Sequence, residues 1–476
     1  MLKKLLCLLA LCPTLHAAQP NFIMVFIDDM GWGDFSCFGN KDVQTPNIDR
    51  IAAEGIRFEQ FYVNAPICSP SRCALTTGTY PQRWKITSYL NNRMDNERRG
   101  VANWLDPKVH TLARTLQQHG YATGHFGKWH LGGQRDVDDA PPISAYGFDE
   151  TLTNFEGMGA KLLPMTQSPG DQLPGRIWED AERLGGPVVW MQRSEITSGF
   201  VNAAIPFMKR AVTAGKPFYV NLWPDDVHGP WWPPTEQWAD GKRGLYRSVL
   251  KEMDRQFGRL FEYLQSTPEL RNNTLLLICS DNGPDVGAGS AGPFRGTKAT
   301  LYEGGTRSPL VVWGPGLVDP AKAGSKNDQS VLAAFDIAPS LLSIAKVATP
   351  EDSDFDGENV ASVILGQSTS SRSAPLFWRR PPDRKYAYSA GPLPDLAMRA
   401  GEWKLLCEFD GSRPELYRLS NDPGEATNLA EQQPQLVQKM TQAVIAWNCS
   451  MPADHAAQLT AEDPKPKAKG KKQISK

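Results

Sequence analysis

From residue 22 to residue 313 the chain alternates short apolar runs with longer amphipathic ones. Phe22 to Ile27 is apolar throughout, the pattern of a strand buried on both faces. Thr45-Pro46 then opens a helix, with a capping threonine and a proline at the first helical position. It runs through Ile48, Ile51 and Ala52 and stops at Gly55. Ile56 to Val63 alternates as a second strand. Thr111 to His119 reads as a helix closing at Gly120, and Tyr121 to Phe126 as the next strand. A helix over Glu195 to Ala214 precedes a strand over Pro217 to Trp223. An amphipathic helix over Leu245 to Leu264 precedes a buried strand over Thr274 to Ser280, and Leu310 to Trp313 is another strand. This alternation predicts an α/β fold, a large mixed, mostly parallel sheet sandwiched by helices.

In such sheets function collects just beyond the carboxyl ends of the strands. Those places hold Asp28-Asp29, Cys68, Lys128 with His130, His228, and Asp281-Asn282. Beyond the sheet, Ser368 to Pro394 is rich in Ser, Arg and Pro and reads as a link. Leu396 to Phe409 and Glu415 to Leu419 read as short strands, and Pro434 to Trp447 as a final helix. The division expected is a signal peptide over 1–18, a catalytic domain over 19–368, a small α+β subdomain over 369–450 and a lysine-rich, disordered tail over 451–476.

The 476 residues are 41% hydrophobic and 22% charged, enough for a sizeable core. A net charge of −1 gives no bulk reason to expect nucleic acid or a membrane surface. Lys3-Lys4, the apolar run Leu5 to Leu11 and the small residues Ala17-Ala18 form a secretory leader. Periplasmic or secreted export is therefore expected, without a membrane span. A lipoprotein reading at Cys12 ranks second, because Leu11 fits poorly before a modified cysteine. The eight cysteines are too widely spaced for a disulfide scaffold, and the pairing of one or two bridges stays open.

Asp28, Asp29, Asp281 and Asn282 offer hard oxygen ligands, suited to calcium or magnesium rather than zinc. Adjacent aspartates at a strand end repel each other unless a cation lies between them. Cys68-Ser69-Pro70-Ser71-Arg72 carries the string C-x-P-x-R, followed by Thr77-Gly78. Gly120-Tyr121-Ala122-Thr123 continues into Gly127-Lys128-Trp129-His130-Leu131-Gly132. Together these strings resemble the formylglycine-dependent (type I) sulfatases of the alkaline phosphatase superfamily. The likeness spans about Asn21 to Trp313, with an echo at Glu415-Leu416-Tyr417 to Asn428-Leu429. The general look of the chain resembles N-acetylgalactosamine-6-sulfatase-like and polysaccharide-acting members.

The resemblance implies an alkaline phosphatase-like fold and a set of roles. A maturation enzyme oxidises Cys68 to formylglycine, whose hydrate attacks sulfur. A plain thiol or hydroxyl lacks the second hydroxyl that releases sulfate. Calcium, or alternatively magnesium, is held by Asp28, Asp29, Asp281 and Asn282, with an oxygen of modified residue 68 completing the site. Arg72, Lys128 and Lys298 offset charge on the sulfuryl oxygens. His228, assisted by Lys298, protonates the leaving alcohol, although the family more often has proline before this histidine, where the chain has Val227. His130 is the base for the second step. His110, His119 and His125 carry no pattern and are assigned to structure.

For substrate, Trp223, Trp231, Trp232 and Trp238 crowd the loop around His228, where aromatic rings can stack on sugar faces. Arg93, Arg98 and Arg99 lie in the loop after Thr87 and suit carboxylates or sulfates of an anionic glycan. The substrate-binding candidates are Trp231, Trp232, Arg93 and Arg98, for exo-acting attack on a sulfated carbohydrate. Two other readings compete: a phosphonate or phosphate monoesterase with the same apparatus, and a non-catalytic glycan-binding protein with Cys68 unmodified. Gly287 to Gly292 matches G-x-G-x-x-G, but Pro293 follows where a dinucleotide-binding helix would run, so it reads as a loop. Asn272 and Asn448 sit in glycosylation-type triplets, a weak signal.

Overall fold

The computed structural model describes residues 19–387 and 391–459. The expected signal peptide and the lysine-rich end from residue 464 lie outside the described residues. In chain order the strands begin with β1 (Asn21–Ile27), β2 (Ile56–Tyr62), β3 (Ala122–Gly127) and β4 (Glu150–Leu152). A small set follows, β5 (Lys161–Thr166), β6 (Gly175–Arg176) and β7 (Val188–Gln192), then β8 (Phe218–Trp223), β9 (Thr274–Ser280) and β10 (Arg307–Trp313). Two short pieces, β11 (Ser325–Asn327) and β12 (Leu332–Ala333), precede the C-terminal strands β13 (Leu376–Arg379), β14 (Leu396–Ala400), β15 (Trp403–Cys407) and β16 (Glu415–Arg418). The helices used below are α1 (Pro46–Glu54), α2 (Cys68–Thr77), α3 (Arg93–Arg99), α4 (Leu112–Gln118), α5 (Ile196–Thr213) and α6 (Gly241–Ser266).

The central sheet runs β11-β2-β10-β9-β1-β8-β3-β4, with β12 also on β2. Every pairing is parallel except those of β10, which runs against β2 and β9. The carboxyl ends of β1, β2, β3, β8 and β9 therefore share one edge, and β10 starts from it. The uninterrupted apolar run of β1 has a direct cause. Phe22, Met24 and Phe26 enter one core with Leu75, Leu112 and Leu341. Ile23, Val25 and Ile27 enter the opposite core with Ile48, Phe200, Met253 and Phe257. Both faces of the strand are dry, so no polar alternation survives.

β13-β14-β15-β16 form a separate antiparallel sheet, backed by the helix Pro434–Ser450. Its core is continuous with Tyr62, Tyr80 and Phe335 of the larger unit. β13 lies inside the stretch read from sequence as a link. Its Trp378 is fully buried and donates an indole N–H to the Val63 carbonyl at 2.7 Å. Four residues between Ser- and Pro-rich flanks show no period, so only tertiary packing reveals this edge strand. Residues 451–459, from the stretch expected to be a tail, pack back: the His455 N–H donates to the Arg99 carbonyl at 3.1 Å, and Arg379 Nη1 donates to the Pro452 carbonyl at 2.9 Å. Cys37, Cys68, Cys73, Cys279, Cys407 and Cys449 are all free thiols. Among the described residues no helix is long and apolar enough to cross a membrane.

Candidate active site

The shared sheet edge collects the polar residues that the strand ends release. Asp28 and Asp29 leave β1, Asp281 and Asn282 leave β9, and Lys128 and His130 leave β3. His228 sits five residues beyond β8. Cys68 is the first residue of α2, whose unpaired backbone N–H groups and positive dipole end favour an anion there. Asp29 and His130 hold left-handed backbone angles, φ 60° and 58°. Non-glycine residues persist there only where surrounding structure over-determines them, as at functional sites. Gly283 is required on steric grounds, since a Cβ would lie 1.9 Å from the Gly304 carbonyl oxygen.

Asp28, Asp29 and Asp281 each bring a carboxylate oxygen within 4.8 Å of the others. A second such set joins Asp28, the Cys68 sulfur and a His228 nitrogen. Three cations brace these acids. Lys128 Nζ donates to Asp28 at 2.7 Å, Arg72 Nη2 to Asp281 at 2.8 Å, and Lys298 Nζ to Asp29 at 2.6 Å. Arg72 is fully buried and also donates to the Lys128 carbonyl at 2.8 Å. Asn282 Nδ2 donates to Asp29 at 2.8 Å. Asn282 Oδ1 remains a buried acceptor without a donor, and Asp28 Oδ1 accepts no hydrogen bond, with Arg72 Nη2 3.4 Å away. Buried oxygen atoms left over in an all-oxygen set fit a hard divalent cation.

Burial raises Asp28 and Asp281, and the neighbours decide the outcome. At Asp28 burial is outweighed by Lys128, His228 and Arg72, which hold the carboxyl well below the usual range. At Asp281 burial and the Asp28 charge together push it well above that range. Burial, reinforced by Asp28, keeps the Cys68 thiol protonated. Burial and Lys128 lower His228 below its ordinary range. The Asp29 and Asp28 carboxylates overcome burial at Lys298 and keep it charged.

Every residue expected at the nucleophile, the cation site and the acid–base positions is at this edge. The substrate candidates are spread wider. Trp223 is fully buried, stacked on Trp129 and facing Arg72, and is unavailable to a sugar. Trp231 is half-buried, with its indole N–H on the Val227 carbonyl at 2.7 Å. Trp232 lines a cleft of about 190 Å³ with Gln167, Gln192 and Arg193. Trp238 is half-buried. Arg93, Arg98 and Arg99 lie not in a loop but on α3, capped by the Asn92 side chain; Arg93 pairs with Asp139 at the surface, and Arg98 lies 3.9 Å from Asp95. Arg99 is fully buried, bonded to the Asp95 carbonyl and to Asn96. His125 is boxed in by Trp129, Phe148 and Trp223, in keeping with a structural role.

One site residue has no sequence signal. Glu156, from the loop after β4, places Oε2 3.1 Å from Lys128 Nζ and 3.2 Å from His130 Nδ1. Burial opposes its charge, but His130 and Lys128 outweigh it and hold the carboxyl near 2.

Comparison with known proteins supplies the chemistry. The family described as Sulfatase matches residues 20–347, and the one described as N-sulphoglucosamine sulphohydrolase, C-terminal, matches residues 294–448. The chain is 32% identical over 376 residues to the N-acetylgalactosamine-6-sulfatase of Canis lupus familiaris, covering 76% of this chain and 68% of that one. It is 27% identical over 500 residues to the N-acetylgalactosamine-6-O-sulfatase of Bacteroides thetaiotaomicron, covering 90% and 93%. The crystal structure of Ps i-CgsB in complex with k-i-k-neocarrahexaose superposes with a TM-score of 0.75 at 26% identity, covering 91% of this chain and 94% of that one. The architecture is thus alkaline phosphatase-like. A family match over most of the chain, including every strand end that builds the site, means that this protein belongs to the sulfatase family and is a sulfuric ester hydrolase.

Proposed function

We propose that the protein is an exported, exo-acting sulfatase that removes sulfate from a carbohydrate, a glycosaminoglycan or algal polysaccharide unit of the N-acetylgalactosamine-6-sulfate type. The names of the mammalian and bacterial relatives and the carrahexaose bound by Ps i-CgsB support the substrate class. The observation that carries the chemistry is the place of Cys68. Its sulfur sits at the start of α2, within 4.8 Å of Asp28 and His228. As a thiol it is a poor nucleophile there, because burial and Asp28 oppose the thiolate. Conversion to formylglycine by a maturation enzyme supplies, as the hydrate, one hydroxyl to attack sulfur and a second to expel sulfate. Calcium held by Asp28, Asp29, Asp281 and Asn282, with magnesium as the alternative, supplies Lewis-acid charge at the same place.

The chain's own residues do the rest. Arg72, Lys128 and Lys298 oppose the negative charge that grows on the sulfuryl oxygens. His228 and Lys298 both reach Asp29, at 3.6 Å and 2.6 Å, and stand together as proton donors to the leaving oxygen. His130 takes the proton of the second hydroxyl. Trp231, Trp232, Arg93 and Arg98 are the residues proposed to meet the sugar.

Peptide mass spectrometry of the protein exported by its own host tests the nucleophile, and turnover of sulfated saccharides, run beside the matching phosphate esters, tests the substrate. The expected result is the thiol-to-aldehyde mass loss at Cys68 with release of sulfate. An intact thiol in that host overturns the mechanism, and release of phosphate in preference to sulfate overturns the substrate class.

A further inference from the structure

Glu156 is buried amid cations that the sulfatase chemistry needs, and none of the roles above uses it. Its Oε2 faces both Lys128 Nζ and His130 Nδ1, and its Oε1 lies 3.9 Å from Arg135. The main chain adds a further tie, since the His130 N–H donates to the Glu156 carbonyl at 2.8 Å. On its far side the imidazole Nε2 lies 3.0 Å from the Leu90 carbonyl, an acceptor, so Nε2 carries the hydrogen. Nδ1 is left with the carboxylate as its neighbour. The ring is therefore held at Nε2, while Nδ1 faces the carboxylate at 3.2 Å without a hydrogen bond, and the two attract only when the ring is protonated. The Leu90 N–H is in turn held by Ser69 Oγ at 2.9 Å, one residue from Cys68.

The loop that presents Glu156 is braced against movement. Asn154 Oδ1 accepts the Glu156 N–H at 2.9 Å, and Asn154 Nδ2 donates to Asp225 at 3.0 Å. Lys161, fully buried in β5, donates to the Gly157 carbonyl and, at 3.4 Å, to the Asn154 carbonyl. A buried amino group spent on main-chain carbonyls is costly, and here it fixes one short loop. Arg72 and His228 also face this group of charges.

We infer that Glu156 is a positioning residue for the sulfatase reaction: a single buried carboxylate that holds the Lys128 ammonium by charge and sets the environment of His130 Nδ1 beside it. The inference rests on the proposed Cys68-centred reaction. It is tested with Glu156→Gln, Glu156→Asp and Glu156→Ala on a sulfated saccharide. Glu156→Gln keeps the shape and removes the charge. It is expected to lower kcat about 10- to 100-fold, as loss of a residue that orients active-site groups does, with KM changed less than about 3-fold. Glu156→Asp recovers part of the loss, and added formate raises the rate of Glu156→Ala in a concentration-dependent way. A wild-type kcat in Glu156→Gln overturns the inference. So does a loss that formate and aspartate both fail to repair.

A second measurement does not depend on turnover. The ¹⁵N shifts of the His130 imidazole in the resting protein report the hydrogen on Nε2 and the environment of Nδ1. They are expected to move in Glu156→Gln, and unchanged shifts overturn the inference. If the wild-type protein releases no sulfate at all, the proposed function fails while this second measurement still decides the role of Glu156.

Discussion

Three carboxylates, Asp28, Asp29 and Asp281, share one small space with Arg72, Lys128 and Lys298. Glu156 adds a fourth acid and Arg135, 3.9 Å from its Oε1, a fourth cation, so with all groups counted as ionised and the histidines neutral the charges of the site balance. A divalent cation would add the excess positive charge that a sulfate monoester meets. It would also give Asn282 Oδ1 a partner, and Asp28 Oδ1 a second one beside Arg72 Nη2 at 3.4 Å. Exhaustive chelation is therefore expected to abolish turnover and to lower the melting temperature, and calcium to restore both. At 100 times its Kd a bound ion stabilises the fold by about 2.7 kcal/mol. Calorimetry with and without calcium checks this, and an identical melting temperature and rate in metal-free protein would sink the cation reading. Asp281→Asn should weaken ion binding while leaving the β9 strand intact, because the Asp281 N–H stays bonded to the Ile27 carbonyl at 3.0 Å.

At the scale of the element, the strands β1, β2, β3, β8 and β9 and the helices α1, α4, α5 and α6 were readable because their residues obey simple periods, whereas α2, which carries Cys68, and α3 were not. β9 matches the expected Thr274 to Ser280 at both ends, and α1 begins at the predicted proline and stops before Gly55. The Asp and Lys–His residues at strand ends were legible for the same reason. Burial was not: Trp223 and Arg99 look like surface chemistry in sequence and are fully buried. Nor were the short strands β5 to β7, where Pro164 and flanking glycines break the alternation, or Glu156, which has no motif. β5 has a consequence of its own. Burial pushes Lys161 from an ordinary 10.5 down to about 7. Between those values the unfolded chain binds the proton and the folded chain does not, so stability rises with pH from about 7 to about 10.5. Lys161→Met removes that contribution. Its unfolding free energy is expected to change less steeply with pH across this window than that of the wild type. Parallel denaturant titrations at pH 7 and pH 9.5 check this, and equal slopes would refute it.

On the scale of the whole molecule, the C-terminal sheet is bound to the catalytic edge through charge. Lys404 of β15 is fully buried, 2.9 Å from Glu303 and 3.0 Å from Glu425. Glu303 stands just before β10, in the segment that also carries Lys298, and its N–H donates to Glu425 at 2.7 Å. Arg295 of the same segment reaches Tyr417 of β16 at 2.9 Å. The subdomain therefore grips the loop that supplies one of the site's cations. The acids respond differently to burial. At Glu303 burial is outweighed by Lys404, Arg307 and Arg399, which hold the carboxyl near 2, while burial pushes Glu425 up to about 7. Lys404→Met leaves the acids without their common partner. It is expected to cost about 3–5 kcal/mol of stability, the range for breaking a buried ion pair from one side. Adding Glu425→Gln to Lys404→Met removes one stranded charge and should recover part of that loss, so the two changes are not additive. A denaturant-based double-mutant cycle measures the coupling. Because Lys298 rides on the same segment, the folded fraction of Lys404→Met should also turn over sulfate ester more slowly than wild type, whereas a wild-type rate would mean that the catalytic loop stands without the subdomain.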